Sequence, residues 1–208
     1  MTVAPFIGIS RLRMKVDGRG ITTLVAFHGC PLRCHYCLNA QCFHAEDIRY
    51  RLTAEEVMKQ LRKDELYFMA TGGGVCFGGG EPLFHANFIR EVLGLGADKW
   101  HTTIESSFNV PRSQWEQLVP FVHEYIVDIK DMQPNTYRAY TGKDNSLVHD
   151  NLRWLAAQGK ADSVICRIPL IPDFNDKEAQ QRSMDTLRDM GFSRFDVFTY
   201  KTDIKKAI

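Results

Sequence analysis

Six cysteines punctuate this 208-residue chain, and four of them, Cys30, Cys34, Cys37 and Cys42, fall within thirteen residues. The first three form Cys-x3-Cys-x2-Cys inside the run HGCPLRCHYCLNAQC. Three thiolates on one short loop can grip three corners of a [4Fe–4S] cube, which normally takes four cysteines. One iron would then lack a protein ligand and stand open to a small molecule. The same residues also admit a closed zinc site with Cys42, His35 or His44 as fourth ligand, or an all-cysteine electron-transfer cluster completed by Cys42. Zinc loops typically come as two separated pairs, and no second Cys-x2-Cys or His-x3-His follows downstream. Cys76 and Cys166 lie in the apolar runs GVCFG and SVICRIPLI and read as buried, inert thiols. A chain of this size needs no disulfide framework, so the cysteines favour a reducing compartment and a cluster site.

Two further groupings could carry chemistry. Gly79-Gly80-Glu81 combines glycines, which permit close backbone approach, with a carboxylate, a natural acceptor for an ammonium group. A phosphate loop is a poorer reading, because Glu81 would repel phosphate and no Gly-Lys-Ser/Thr follows. Gly72-Gly73-Gly74 reads as a tight turn. Asp128-x-Lys130 is either an ion pair at a strand end or a charged half of a ligand site.

These residues need a scaffold, and the intervening sequence supplies an alternation of short β-rich runs and helical patterns. The runs are 21–27, 74–78, 102–106, 124–130, 163–171 and 195–200. Thr53 with Glu56 forms a capping box ahead of Val57, Leu61, Tyr67 and Phe68. Phe88 to Leu93 marks a second helix stopped by Gly94 or Gly96, and Ser113 caps a third carrying Trp115 and Leu118. Leu147 to Leu155 marks a fourth, stopped by Gly159, and 183–190 a fifth, stopped by Gly191. Six strand–helix alternations predict an α/β fold: a parallel sheet with outer helices and right-handed crossovers. A complete eight-stranded barrel takes about 250 residues, so the expectation is a partial (βα)6 barrel forming one domain over 1–208. Its active site belongs at the C-terminal ends of the strands.

Composition sets outer bounds. Lys plus Arg number 26 and Asp plus Glu 25, a net charge of +1, which gives no electrostatic reason to expect nucleic acid or an anionic membrane as partner. No apolar run approaches the ~18 residues of a membrane span, and the first residues lack the basic and apolar regions of a secretory leader. The expectation is a cytoplasmic protein.

The ordered set of motifs resembles the radical S-adenosylmethionine superfamily, and within it the activating enzymes of glycyl radical enzymes, of the pyruvate formate-lyase activating type. GCPLRCHYCLN (29–39) is similar to that family's cluster loop, and GGGVCFGGGEPL (72–83) to its second motif. DIKDM (128–132), YTGKDNSLVHDNL (140–152) and RIPLIPDFND (167–176) follow in the family's order. VDGRGI (16–21) is similar to V-D-G-P-G-I, with Arg19 in place of proline and Thr22 in place of the usual arginine. The resemblance implies a [4Fe–4S] cluster on Cys30, Cys34 and Cys37, with S-adenosylmethionine on the open iron. It implies that Gly79, Gly80 and Glu81 meet the methionine amino group, that Lys130 pairs its carboxylate with Arg167 adding charge, and that Tyr36 and Asn39 lie beside the adenosine. Glu105, where relatives carry aspartate, and Asp128 would bind a monovalent cation. Asp17 would lie near the substrate loop. Relatives end this region in Pro-Tyr-His, whereas this chain reads Phe198-Thr199-Tyr200-Lys201.

The implied reaction is reductive cleavage of S-adenosylmethionine to a 5′-deoxyadenosyl radical. That radical takes a hydrogen atom from a glycine of a partner glycyl radical enzyme, with flavodoxin or ferredoxin as electron donor. Beside the activase of anaerobic ribonucleotide reductase, a chemically close relative whose chains are generally shorter and lack the full Arg167-to-Asp176 stretch, two other readings stay open. One is a superfamily member acting on a small molecule or peptide, such as a 7-carboxy-7-deazaguanine synthase. The other is a noncatalytic iron–sulfur or zinc binding protein, for which the glycine and lysine motifs would be coincidence.

Overall fold

A computed structural model describes residues 2–200, so Lys201, which stands where relatives carry histidine, lies outside the described residues. The chain forms eight strands: β1 (Val3–Met14), β2 (Ile21–Phe27), β3 (Tyr50–Thr53), β4 (Gly74–Gly79), β5 (His101–Ser106), β6 (Glu124–Asp128), β7 (Val164–Leu170) and β8 (Arg194–Thr199). Six α-helices join them: α1 (Ala54–Leu61), α2 (Glu65–Thr71), α3 (Ala86–Gly94), α4 (Pro134–Thr141), α5 (Ser146–Ala157) and α6 (Lys177–Asp189). The strand order is β3-β1-β2-β4-β5-β6-β7-β8, an open α/β sheet with β3 and β8 at its edges. β2, β4 and β5 are parallel neighbours, as are β7 and β8, while β1 runs antiparallel to both β2 and β3. Among the described residues no helix is long and apolar enough to cross a membrane.

The six expected strands form within a residue or two of their expected ends. β1 and β3 are additions. They escape period-two reading because β1 carries Pro5, Gly8 and two cations and is broken by register shifts, and β3 is only four residues long. Thr53 caps α1 with the capping box complete: its hydroxyl accepts from Glu56 N, and the Glu56 side chain accepts from Thr53 N. Tyr67 and Phe68 fall in the separate helix α2, which stops at Gly72 in the left-handed conformation (φ 64°). The helix expected around Trp115 is instead a pair of 3₁₀ turns, 112–114 and 116–118. α4, absent from the sequence expectation, begins with Pro134 at its first turn and ends at left-handed Gly142. α6 begins earlier than expected, with Asp176 accepting from Ala179 N at 2.7 Å.

The chain divides into two compact units. The first holds residues 2–30, 39–106 and 113–125; the second holds 31–38, 107–112 and 126–200. In the first, β2 and β4 are buried on both sides, as parallel strands covered by helices require. Phe6, Phe27, Phe77 and Phe88 make a ring cluster with centroid separations from 4.8 to 6.2 Å. In the second, Leu152, Leu155, Cys166, Ile168 and Leu187 are fully buried. Asn151 there ties the 107–112 segment down, donating to Phe108 O and Val110 O at 2.8 Å each.

Candidate active site

In the first unit the candidate site is made largely of backbone. β2, β4 and β5 are parallel, so Phe27, Gly79 and Ser106 end at one rim. Gly80 N donates to Phe27 O at 2.9 Å and Glu81 N to Gly29 O at 2.7 Å. A Cβ on Gly80 would stand 2.2 Å from Gly29 O, and one on Gly79 (φ 95°) 2.8 Å from the Ala26 backbone. Only glycine fits this approach. Asn39 Nδ2 donates to Gly79 O at 2.8 Å. Both ends of the cysteine loop, Gly29 and Asn39, are therefore fastened to Gly79-Gly80-Glu81. Cys30 packs on the cluster of Ile7, Leu24, Ala26, Cys42 and Cys76.

Several side chains in this unit are engaged by the protein itself. Glu81 is fully buried, and its Oε1 accepts from Ser106 Oγ at 2.6 Å and from Leu83 N at 3.2 Å, capping the turn 82–85. These two bonds tie the end of β5 to the 82–85 turn. Asn39, expected beside an adenosine, spends its amide on Gly79. Asp17, expected to face a substrate loop, is 3% exposed and gripped by both Arg13 Nε and Arg13 Nη2. Glu105 lies on β5 beside Gly78, whose Cβ position is 3.3 Å from Glu105 Cβ.

In the second unit the site is built from side chains. Arg33 N donates to Thr141 O at 2.8 Å and His35 N to Tyr140 O at 3.2 Å, so the C-terminal turn of α4 holds the segment carrying Cys34 and Cys37. The His35, Tyr36 and Tyr140 rings all pack on Phe174, with centroids 4.8, 6.0 and 5.1 Å away. Tyr36 donates its hydroxyl to Asp173 Oδ2 at 3.0 Å, a bond that raises its pKa, so this side chain too is engaged by protein. Asp173 and Lys130 both adopt the left-handed backbone conformation, φ 67° and 61°, which non-glycine residues rarely enter.

Lys130 Nζ bonds Asp128 Oδ2 at 2.9 Å and is 7% exposed. Burial works against its charge, but attraction to Asp128, with further contributions from Tyr200, Cys34 and Tyr140, holds its pKa well above the usual lysine range. Asp128 is penalised by burial too, yet Lys130 and Arg167 bring it below the ordinary carboxylate range. Arg167 also bonds Asp196 Oδ2 at 3.2 Å. The turn bearing Lys130 is braced from below: Asn145 donates to Met132 O at 2.9 Å, His149 Nε2 lies 3.1 Å from the same oxygen, and Met132 N donates to Ser183 Oγ. The buried carboxylate Asp131 accepts from Gln133 N and Asn175 Nδ2. Tyr140, Phe174 and Asp173 have no assigned role in the sequence reading, although all three fall in the motif runs 140–152 and 167–176.

The donor chemistry of the cysteine loop fits an iron–sulfur cluster. Cys30, Cys34 and Cys37 are all partly exposed, whereas Cys42, Cys76 and Cys166 are buried and burial pushes the Cys166 thiol up to about 12. Among the described residues no three His, Cys, Asp or Glu side chains stand ready to hold a single metal ion, the arrangement zinc requires. A cube asks for something different, one thiolate at each of separate corners.

Residues 24–195 match the Radical SAM superfamily. The chain is 33% identical to the pyruvate formate-lyase-activating enzyme of Clostridium pasteurianum over 81% of its own length and 70% of the relative's. It is 34% identical to the (2S)-3-sulfopropanediol dehydratase activating enzyme of Klebsiella oxytoca, covering 77% and 69%. With the pyruvate formate-lyase 2-activating enzyme of Escherichia coli the identity is 30%, covering 89% and 73%. Among solved structures, Streptococcus suis SuiB bound to precursor peptide SuiA superposes with a TM-score of 0.66 at 18% identity, over 89% of this chain and 41% of that one. QueE from Escherichia coli gives 0.51 at 12%, over 95% of both. The structural matches establish the fold, and the family match and the sequence relatives establish more: the chain belongs to the Radical SAM superfamily and, within it, to the activating-enzyme family that those three relatives represent.

Proposed function

We propose that this protein activates a glycyl radical enzyme by removing a hydrogen atom from the α-carbon of a glycine in that partner. The observation that carries the reading is the cysteine loop itself. Its three partly exposed thiols sit on a segment fastened to Gly79-Gly80-Glu81, in a chain a third identical to named activating enzymes. When bound, a [4Fe–4S] cluster on Cys30, Cys34 and Cys37 together with S-adenosylmethionine supplies one-electron reduction and hydrogen-atom abstraction.

The chain's own residues provide place and charge. Lys130, kept cationic by Asp128, suits the methionine carboxylate, and Arg167 reinforces the positive field. Gly79 and Gly80 let the turn that leads to Glu81 pack directly on Gly29, next to Cys30. Tyr36, Tyr140 and Phe174 give the second unit's part of the loop an aromatic wall that excludes water and offers a flat surface to adenosine. Asp128 and Glu105 are the carboxylates we assign to a monovalent cation, and Asp17 is the residue we assign to the substrate side. A glycine suits the reaction because its α-carbon carries no side chain. Flavodoxin or ferredoxin would deliver the electron, in the cytoplasm, where thiols remain reduced.

The test is electron paramagnetic resonance of candidate partners after anaerobic incubation with reconstituted protein, S-adenosylmethionine and a reductant. The panel comprises pyruvate formate-lyase, sulfopropanediol dehydratase and isethionate sulfite-lyase, the enzymes named by relatives of this chain. The expected result is a carbon-radical signal on one partner that loses its hyperfine splitting when the partner is made with α-deuterated glycine. Formation of 5′-deoxyadenosine with no radical on any partner would move the reading to a small-molecule or peptide substrate.

A further inference from the structure

β1 and β2 pair antiparallel with two register shifts, the second of them between Ser10↔Leu24 and Arg13↔Thr22. Arg11 and Leu12 thus stand together against Thr23, which is a β-bulge, and Leu12 takes the left-handed conformation, φ 56°. Regular alternation would send Arg11 and Arg13 to the same face. The bulge separates them. Arg11 joins Thr23, both bonding the buried Asp64 carboxylate, while Arg13 moves to the face of its partner Thr22.

That second face is the one that matters. Register across β2, β4 and β5 aligns Leu24 with Cys76 and Thr103, and Ala26 with Gly78, next to Glu105. Cys30 packs on Leu24, Ala26 and Cys76 of this same face. Arg13 there grips Asp17 with two nitrogens, the Nη2 bond measuring 3.1 Å, and Glu105 adds to the attraction that raises its pKa. Gly18, next along, sits so close that a Cβ would meet Thr103 Oγ1 at 2.4 Å. Thr22, where the motif this segment resembles carries arginine, is buried with its hydroxyl unbonded among the described residues.

We propose that Arg13 is a positioning residue for the substrate side of the site. Aimed by the bulge, it supplies from β1 the cation that position 22 lacks, and it fixes the Asp17-Gly18 turn against the sheet face that carries Cys30 and Glu105. The strain at Leu12 is the cost of that aim. The substrate it serves is an extended, glycine-containing protein segment, which needs a firm turn and a compensated carboxylate to lie against. This last point rests on the activase reading; the hold on Asp17 does not.

Three variants of the full chain test it: Arg13→Gln, Arg13→Lys, and the relocated pair Arg13→Thr with Thr22→Arg. The first readout is hydrogen exchange of amides 15–20, taken without any partner. Exchange is expected to rise roughly tenfold or more in Arg13→Gln, the scale of losing a bond between charged groups, and to return towards the parent in the relocated pair. The second is kinetic, using the partner that accepts a radical from the parent protein. KM for that partner is expected to rise more than kcat falls, with more deoxyadenosine spent per radical formed, and Arg13→Lys to recover part of the loss. Unchanged exchange in Arg13→Gln overturns the proposal whether or not a partner is found. Faster exchange with an unmoved KM removes the substrate role, and failure of the parent to activate any partner is charged to the activase reading instead.

Discussion

The two stretches of the cysteine loop are held by different physics. Around Gly29 and Cys30 the grip is backbone on backbone, at separations where a single methyl group does not fit, and the Asn39 side-chain amide adds a bond to Gly79 O. Around Cys34 and Cys37 two backbone bonds to α4 are joined by aromatic rings and a buried ion pair, Phe174, Tyr140 and Lys130–Asp128. The first arrangement fixes position and tolerates almost nothing. The second sets electrostatics and can be altered in steps. The comparison predicts that the first region breaks under small steric changes and responds little to salt, while the second responds to charge.

The largest expected effect is therefore Gly80→Ala. Forcing a Cβ to 2.2 Å from Gly29 O should cost about 3 kcal/mol of stability, the upper end for overpacking, read by urea unfolding together with iron content after anaerobic reconstitution. Gly94→Ala is the matched control: nothing lies within 4 Å of its Cβ position at the end of α3, and it should be neutral or slightly stabilising. Equal losses in the two variants would erase the distinction.

Next comes Lys130→Met. Removing the one ammonium beside Asp128 should weaken S-adenosylmethionine binding by roughly ten- to a hundredfold, on the scale of a hydrogen bond to a charged group. Isothermal titration under anaerobic conditions checks this, and Lys130→Arg should retain more affinity than Lys130→Met. Undiminished affinity would separate Lys130 from the ligand.

The pH response follows from Asp128. Its folded-state pKa is depressed, so the stability it contributes is present above the ordinary carboxylate value of about 3.9 and disappears as pH falls through the lower folded value. Asp128→Asn should abolish that part of the acid transition. His85 gives a second, shallower slope in the first unit: burial lowers its pKa, so stability should decline as pH falls below about 6.5. His85→Phe should flatten this slope, its ring keeping the stack on Phe27. The smallest effect is Tyr36→Phe, which loses the exposed bond to Asp173 and should leave the thermal unfolding midpoint almost unchanged.

What could be read from the sequence was what repeats or caps. Parallel strands such as 21–27 announce themselves because both faces are buried, and Thr53 with Glu56 announces α1 because the box needs those two residue types three apart. β1 stayed hidden because its bulge at Arg11-Leu12 breaks the alternation that strand reading relies on, and that bulge is what aims Arg13. The cysteines were legible from spacing alone. The partners of Glu81, Asn39, Asp17 and Tyr36 were not, since Ser106, Gly79, Arg13 and Asp173 reach them through the fold and no local pattern records it. The polar residues to which the resemblance gives a ligand or substrate role are also bonded to the loops that carry them.

The most direct test of the central claim is 5′-deoxyadenosine formation by anaerobically reconstituted protein with dithionite and S-adenosylmethionine, compared among the parent, Cys34→Ala and Cys76→Ala. The account predicts product from the parent and from Cys76→Ala, whose thiol is buried in the apolar core, and none from Cys34→Ala. Product that survives the loss of Cys34, or a parent that holds its cluster and forms none, would contradict it.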